Sequence, residues 1–350
     1  MESPLQRPIE HFVLPWLGAA LLAGLCLLMP AAMKAAQMWI LGAVFLLAVA
    51  PHVAVDPWLP AWERDRPFIF GEWVRMVAAF VLGAAAILVL GWALPFWTLI
   101  LFLVMTLVHW GCSDGLAALP WTRDALALGV ARGTLLLHLP VVFAPLEVTA
   151  LLTLLPLAGE ETLLLGWLRH APLIVVACLL AEVLVLLFPS RPLPGHWRAL
   201  SLLHLVETGV LLGLFLAAPP LLAVAAYFTF FHHWRYVQEV GRLQARGRRQ
   251  AEPNPGEAVA RFAQAAAPLS LVLIAAAMAA FFALMAGGVG SRQLLGATVW
   301  ALAMLTPAHL VLGLWLQTRQ PSPVSPGLSG PADQNLPPLQ RGLRRILGKK

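Results

Sequence analysis

The sequence predicts an all-α fold, a polytopic transmembrane bundle of about ten helices. Three observations carry that prediction. The chain is 60% hydrophobic and only 11% charged, against about 25% charged residues in an ordinary soluble domain. Its mean hydropathy is +0.80. Its apolar residues also fall into ten runs, each close to the roughly 20 residues that a helix needs to cross a bilayer core. A chain this apolar cannot cover itself with polar surface in water, whereas in lipid a helix satisfies each backbone polar group internally.

The first run, 12–29, follows a stretch that carries Glu2, Arg7 and Glu10. No A-x-A-like site follows, so it reads as a retained helix rather than a cleaved signal peptide. Spans at 36–54, 74–94, 96–113 and 126–144 come next. The stretch 146–170 is apolar but holds Glu147, Glu160, Glu161 and Arg169. It reads as an interfacial loop or re-entrant piece, because an eleventh span would bury those charges in lipid. Five further runs, 171–188, 199–217, 218–236, 265–287 and 295–317, complete a single membrane domain over 1–317. The remainder, 318–350, is first rich in Pro, Ser and Gly and then ends RGLRRILGKK. That composition predicts a disordered, basic C-terminal tail, able to touch anionic lipid.

A net charge of +6 and a pI near 9.9 would suit a nucleic-acid partner, but the distribution of the basic residues argues against one. They gather in loops, as cytoplasmic loops of membrane proteins do. Arg242, Arg246, Arg248, Arg249 and Arg261 lie between the eighth and ninth spans, one out-and-back helix pair before the basic tail. Placing both regions inside makes both termini cytoplasmic, in a multi-pass protein of the cell's inner membrane. The partner so predicted is the lipid bilayer, with no nucleic acid. Cys26, Cys112 and Cys178 are far apart and form no CxxC pair, which indicates neither a zinc site nor a disulfide framework.

Ionisable residues inside a membrane are costly, so each one raises a question of function. In the ten-span topology the even-numbered helices all run toward the cytoplasm. His52 then lies near the inner end of the second span and His109 near that of the fourth. His232 and His233 lie near that of the eighth, and His309 sits in the inner half of the tenth. Four non-neighbouring helices thus bring imidazole to one side of the membrane, while His138 falls toward the other. Imidazole suits Fe, Zn, Cu and Ni, so the pattern predicts a transition-metal site. Asp56 and Asp114, shortly after His52 and His109, are candidate acceptors for the outer imidazole N–H groups, and His204 and Glu207 on the seventh span can join them. His232 and His233 point about 100° apart on a helix, so one of the two faces the cluster.

Each of these residues also has an ordinary reading. Interfacial histidines bond carbonyls or headgroups, Arg75 and Arg132 mark helix ends, and Arg235 fixes its helix at headgroup level. The aromatic run Tyr227, Phe228, Phe230, Phe231, Trp234 is packing or an interfacial belt.

The same residues sit in short motifs. They are P-H-V-A-V-D at Pro51–Asp56, V-H-W-G-C-S-D around His109 to Asp114, the stretch Ala131–Pro140, Y-F-T-F-F-H-H-W-R-Y at Tyr227–Tyr236, and T-P-A-H ending at His309. In order, spacing and span number, over about 50–315, the set resembles the Brp/Blh family of membrane β-carotene 15,15′-dioxygenases. The resemblance implies an Fe(2+) enzyme that uses O2 to split the central double bond of β-carotene into two retinal molecules. It also implies an apolar carotenoid substrate and a retinal-binding protein as product acceptor.

The family's iron is held by four histidines from three helices, and His52, His109 and His232 match three of those positions. The fourth falls on Tyr236, where the family has histidine. Val53 replaces a glycine, and Pro57 replaces a histidine after the aspartate. Three readings stay open: ligation by Tyr236 as a phenolate, a fourth nitrogen from His233, His309 or His204, or a degenerate, non-catalytic site without iron.

Two other classes compete. Di-iron desaturases use more histidine, in several H-x₂₋₄-H boxes, and this chain has ten histidines with one adjacent pair. A transporter or scaffold with structural histidines would line a path through both membrane halves, whereas here the polar residues gather on one side.

Overall fold

A computed structural model describes residues 6–63, 69–116, 123–152, 161–189, 197–247, 253–288, 290, 306–307 and 309–312. Among the described residues every regular element is helical. The chain opens with α1 (Gln6–Leu28) and α2 (Pro30–Val44), the second of which starts on a proline. α2 runs through a π turn at Phe45–Val49 into α3 (Ala50–Ala54), then through a 3₁₀ turn at Asp56–Trp58 into α4 (Leu59–Glu63). The π turn has a local cause. Pro51 has no amide hydrogen and its ring crowds the carbonyl one turn back, so the helix widens and the Ala50 N–H donates to the Phe45 carbonyl.

α5 (Phe70–Ala93), α6 (Pro95–Leu116), α7 (Arg123–Phe143) and the short α8 (Pro145–Leu152) and α9 (Glu161–Leu168) follow. Then come α10 (Ala171–Leu187), α11 (Trp197–Ala217) and α12 (Pro220–Ala226). A second π turn, Tyr227–His233, leads into α13 (Trp234–Gly247), and α14 (Pro255–Ala286) is the longest helix.

The apolar helices fit a membrane protein, and the expected number of ten spans is not confirmed. Among the described residues four helices are long and apolar enough to cross: Pro30–Trp62, Phe70–Ala93, Arg123–Phe143 and Pro255–Ala283. Thr162–Leu168 and Ala171–Leu187, bent by 46° at their junction, make a fifth if they form one broken span. Phe12–Leu28, Pro95–Gly111 and Ser201–Ala217 are apolar but shorter. The eighth expected span, 218–236, is built from α12, the second π turn and the first residues of α13, and the polar remainder of α13, ending VQEVGRLQARG, lies beyond it. The tenth expected span lies largely, and the tail 318–350 wholly, outside the described residues. The stretch 146–170 carries α8 and α9 rather than a span of its own.

The core joins α7, α10, α11, α12 and the second π turn through Leu135, Val175, Leu211, Leu222, Tyr227 and Phe231. α6 and α7 approach most closely. A Cβ added at Gly111 would stand 1.9 Å from the Gly129 carbonyl oxygen, and one at Gly133 would stand 2.2 Å from that of Leu107. Small residues at a crossing let two backbones meet in this way. Here they set α6, and His109 with it, against α7. The two π turns pack against each other, and α3 packs on α14.

Candidate metal centre

His52 stands one residue past Pro51, on the turn that the first π turn hands to α3. His109 comes from the glycine-packed end of α6, His232 from the second π turn and His309 from the last described segment. All four are buried. Each offers one ring nitrogen, and these four nitrogens all lie within 4.8 Å of one another. The rings stand at centroid distances of 4.5 Å (His52–His309), 4.6 Å (His109–His232 and His109–His309) and 5.1 Å (His52–His232).

Hydrogen bonds define which nitrogens point inward. Asp56 is wholly buried, and its Oδ2 lies 2.6 Å from His309 Nδ1. A carboxylate can only accept, so Nδ1 carries the hydrogen and Nε2 keeps its lone pair. That Nε2 faces His52 Nε2 at 2.8 Å. Two ring nitrogens meeting at this distance need a proton or a metal ion between them. With His109 and His232 beside them, the donor set is all nitrogen, which fits a first-row transition metal rather than Mg²⁺ or Ca²⁺. On its other side His52 Nδ1 meets His233 Nδ1 at 3.1 Å. His232 therefore faces the group, and His233 stands behind His52.

Tyr236 stands beside these nitrogens. Its ring lies 4.1 Å from that of His52, and its hydroxyl donates to Asp56 Oδ1 at 2.5 Å. The four-nitrogen group contains His309. Asp56 accepts from the outer nitrogen of His309, whereas the side chain of Asp114 lies outside the described residues. Phe228 and Trp110 flank the group, 5.3 Å from His52 and 6.3 Å from His232 respectively. Tyr227 and Phe231 of the same aromatic run are core packing. His138 stays apart, bonded to the Thr134 carbonyl and edge-on to Trp167.

His204 and Glu207 do not join the imidazoles. The His204 ring packs edge-on against Phe12, and its carbonyl accepts from Arg132. Glu207 belongs to a second buried cluster. It pairs with Arg132 at 3.3 Å and with Arg235, while Arg132 also pairs with Glu182 at 2.9 Å and bonds Thr208 at 3.0 Å. Arg132 and Arg235 are thus interior cations, not helix-end markers. Two guanidiniums and two carboxylates balance in charge, which is how such groups tolerate a dry site. Arg75, exposed and bonded to the Gly71 carbonyl, does keep the helix-end role. Glu182 was not anticipated, although a single carboxylate within the apolar run of α10 was the signal for it.

Fold and site together define a class: a helical membrane protein built around a buried group of imidazoles able to hold a transition metal. The family model described as beta-carotene 15,15'-dioxygenase matches residues 50–317, which include all four histidines, and the chain belongs to that family. Comparisons with curated proteins and with solved structures gave no match.

Proposed function

We propose that this chain cleaves β-carotene, or a related carotenoid, at its central double bond to give retinal, using Fe(II) held by His52, His109, His232 and His309. The observation that carries the reading is the convergence of four imidazoles, from segments up to 257 residues apart, on one point. Membership of a dioxygenase family supports the reaction class. Iron, when bound, would supply the activation of O2.

The chain's own residues would do the rest. The four histidines offer neutral nitrogen donors, and Asp56 holds the His309 tautomer that turns a lone pair inward. Burial keeps bulk water from the centre. Substrate and O2 both dissolve in lipid, so an intramembrane site meets them without a soluble channel. Pockets for such ligands are apolar with few polar groups. Phe228 and Trp110, against the histidines, would hold the polyene, and its placement decides which bond is cut. In this reading the protein sits in the inner membrane with both termini in the cytoplasm, and a retinal-binding protein accepts the product.

The test is expression in bacteria that accumulate β-carotene. Loss of colour and appearance of retinal by chromatography are expected, and His109→Ala abolishes both. Persistent colour with folded, iron-loaded protein would overturn the reading.

A further inference from the structure

We propose that Tyr236, at the family's fourth histidine position, does not bind the metal but holds Asp56 in the orientation that makes His309 a ligand. This rests on the reading that the four imidazoles hold iron, and it assigns Tyr236 and Asp56 as a positioning pair.

Three contacts carry it. Asp56 is wholly buried, and its two oxygens are taken by different donors: Oδ1 by the Tyr236 hydroxyl and Oδ2 by His309 Nδ1–H. The carboxylate is therefore gripped at both ends and cannot rotate without losing a charge-assisted bond, which is about twice as strong as a neutral one. His309 Nε2 in turn faces His52 Nε2 at 2.8 Å. The chain of contacts runs phenol, carboxylate, imidazole, centre.

A phenol that gives its hydrogen to a carboxylate offers no anionic oxygen to a metal, so Tyr236 as placed is a donor and not a ligand. Removing the hydroxyl leaves Oδ1 of a buried carboxylate without that donor, and frees Asp56 to turn away from His309. A ligating imidazole whose outer N–H loses its carboxylate partner binds metal more weakly, typically by about 10–100-fold.

The experiment uses the full-length chain in lipid nanodiscs, titrated without O2 against Co(II), whose visible spectrum reports the donor set. Tyr236→Phe keeps the ring and removes the hydroxyl. It is expected to bind Co(II) with an unchanged spectrum and about 10–100-fold lower affinity. Asp56→Asn should lose a similar factor, and the double variant should be no weaker than Asp56→Asn alone, because both act through one carboxylate. His309→Ala, by contrast, should change the spectrum itself. Unaltered protein loaded with iron and oxidised to the ferric state should show no tyrosinate-to-iron charge-transfer band.

That band, an altered Co(II) spectrum in Tyr236→Phe, wild-type affinity in Tyr236→Phe, or losses that multiply in the double variant would each overturn the proposal while leaving the dioxygenase reading intact. The ferric spectrum needs no variant, so the proposal stays testable if Tyr236→Phe does not fold. Failure of the unaltered chain to bind any transition metal would overturn both readings.

Discussion

At the scale of single residues, His52 is the hinge of the centre. One of its nitrogens faces His309 and the other faces His233, so its ring is held from both sides before any ion arrives. His52→Ala is expected to abolish metal binding. His233→Ala removes a partner behind the centre and should weaken affinity by about tenfold, the low end for such groups, while metal stoichiometry is unchanged. Metal titration of the two variants checks the difference.

The histidines themselves were legible in the sequence, because an imidazole inside a span is conspicuous. What could not be read was that His309 joins the group. Tyr236 sits one helical turn after His232, so spacing drew attention to it. The contact that turns His309 toward the other rings, its bond to Asp56, joins residues 253 positions apart, and no local pattern reports that.

At the scale of elements, the crossing of α6 and α7 sets where His109 stands. A methyl at Gly111 would run into the Gly129 carbonyl at 1.9 Å, and backbone cannot turn aside as a side chain can. Gly111→Ala is expected to force the helices apart, costing about 1–3 kcal/mol as overpacking does, and to lower iron occupancy because His109 lies two residues away. A Cβ at Gly213 on α11 meets nothing within 4 Å, so Gly213→Ala should fall within about ±0.5 kcal/mol. Thermal unfolding in detergent, with iron measured on the same samples, compares the two.

Helical character was legible from apolar runs of the right length, and the π turn before His52 is traceable to Pro51. The π turn at Tyr227–His233 has no proline inside it, and hydrophobicity alone gave no sign of it, nor that the helix would run on through the basic stretch as the polar α13.

At the scale of the whole molecule, the buried quartet of Arg132, Arg235, Glu182 and Glu207 ties α7, α10, α11 and α13 together. Glu207 is the member that touches both arginines. Glu207→Gln would remove the charge that faces both interior guanidiniums, and breaking a buried pair costs about 3–5 kcal/mol. A large drop in thermal stability is therefore expected, and an unchanged melting profile would sink this account of the network. The sequence showed these charges but placed the arginines at the surface. Their pairing depends on which helices become neighbours, and a run of apolar letters does not encode that.

The wide separation of the four histidines along the chain also bears on biogenesis. The nitrogen that closes the set comes from His309, on the last described segment, and the carboxylate that aims it comes from Asp56, near the start. If the four imidazoles hold iron as proposed, the donor set cannot be completed until synthesis has passed His309, and a product truncated before that residue is expected to carry three of the four nitrogens and to bind metal more weakly.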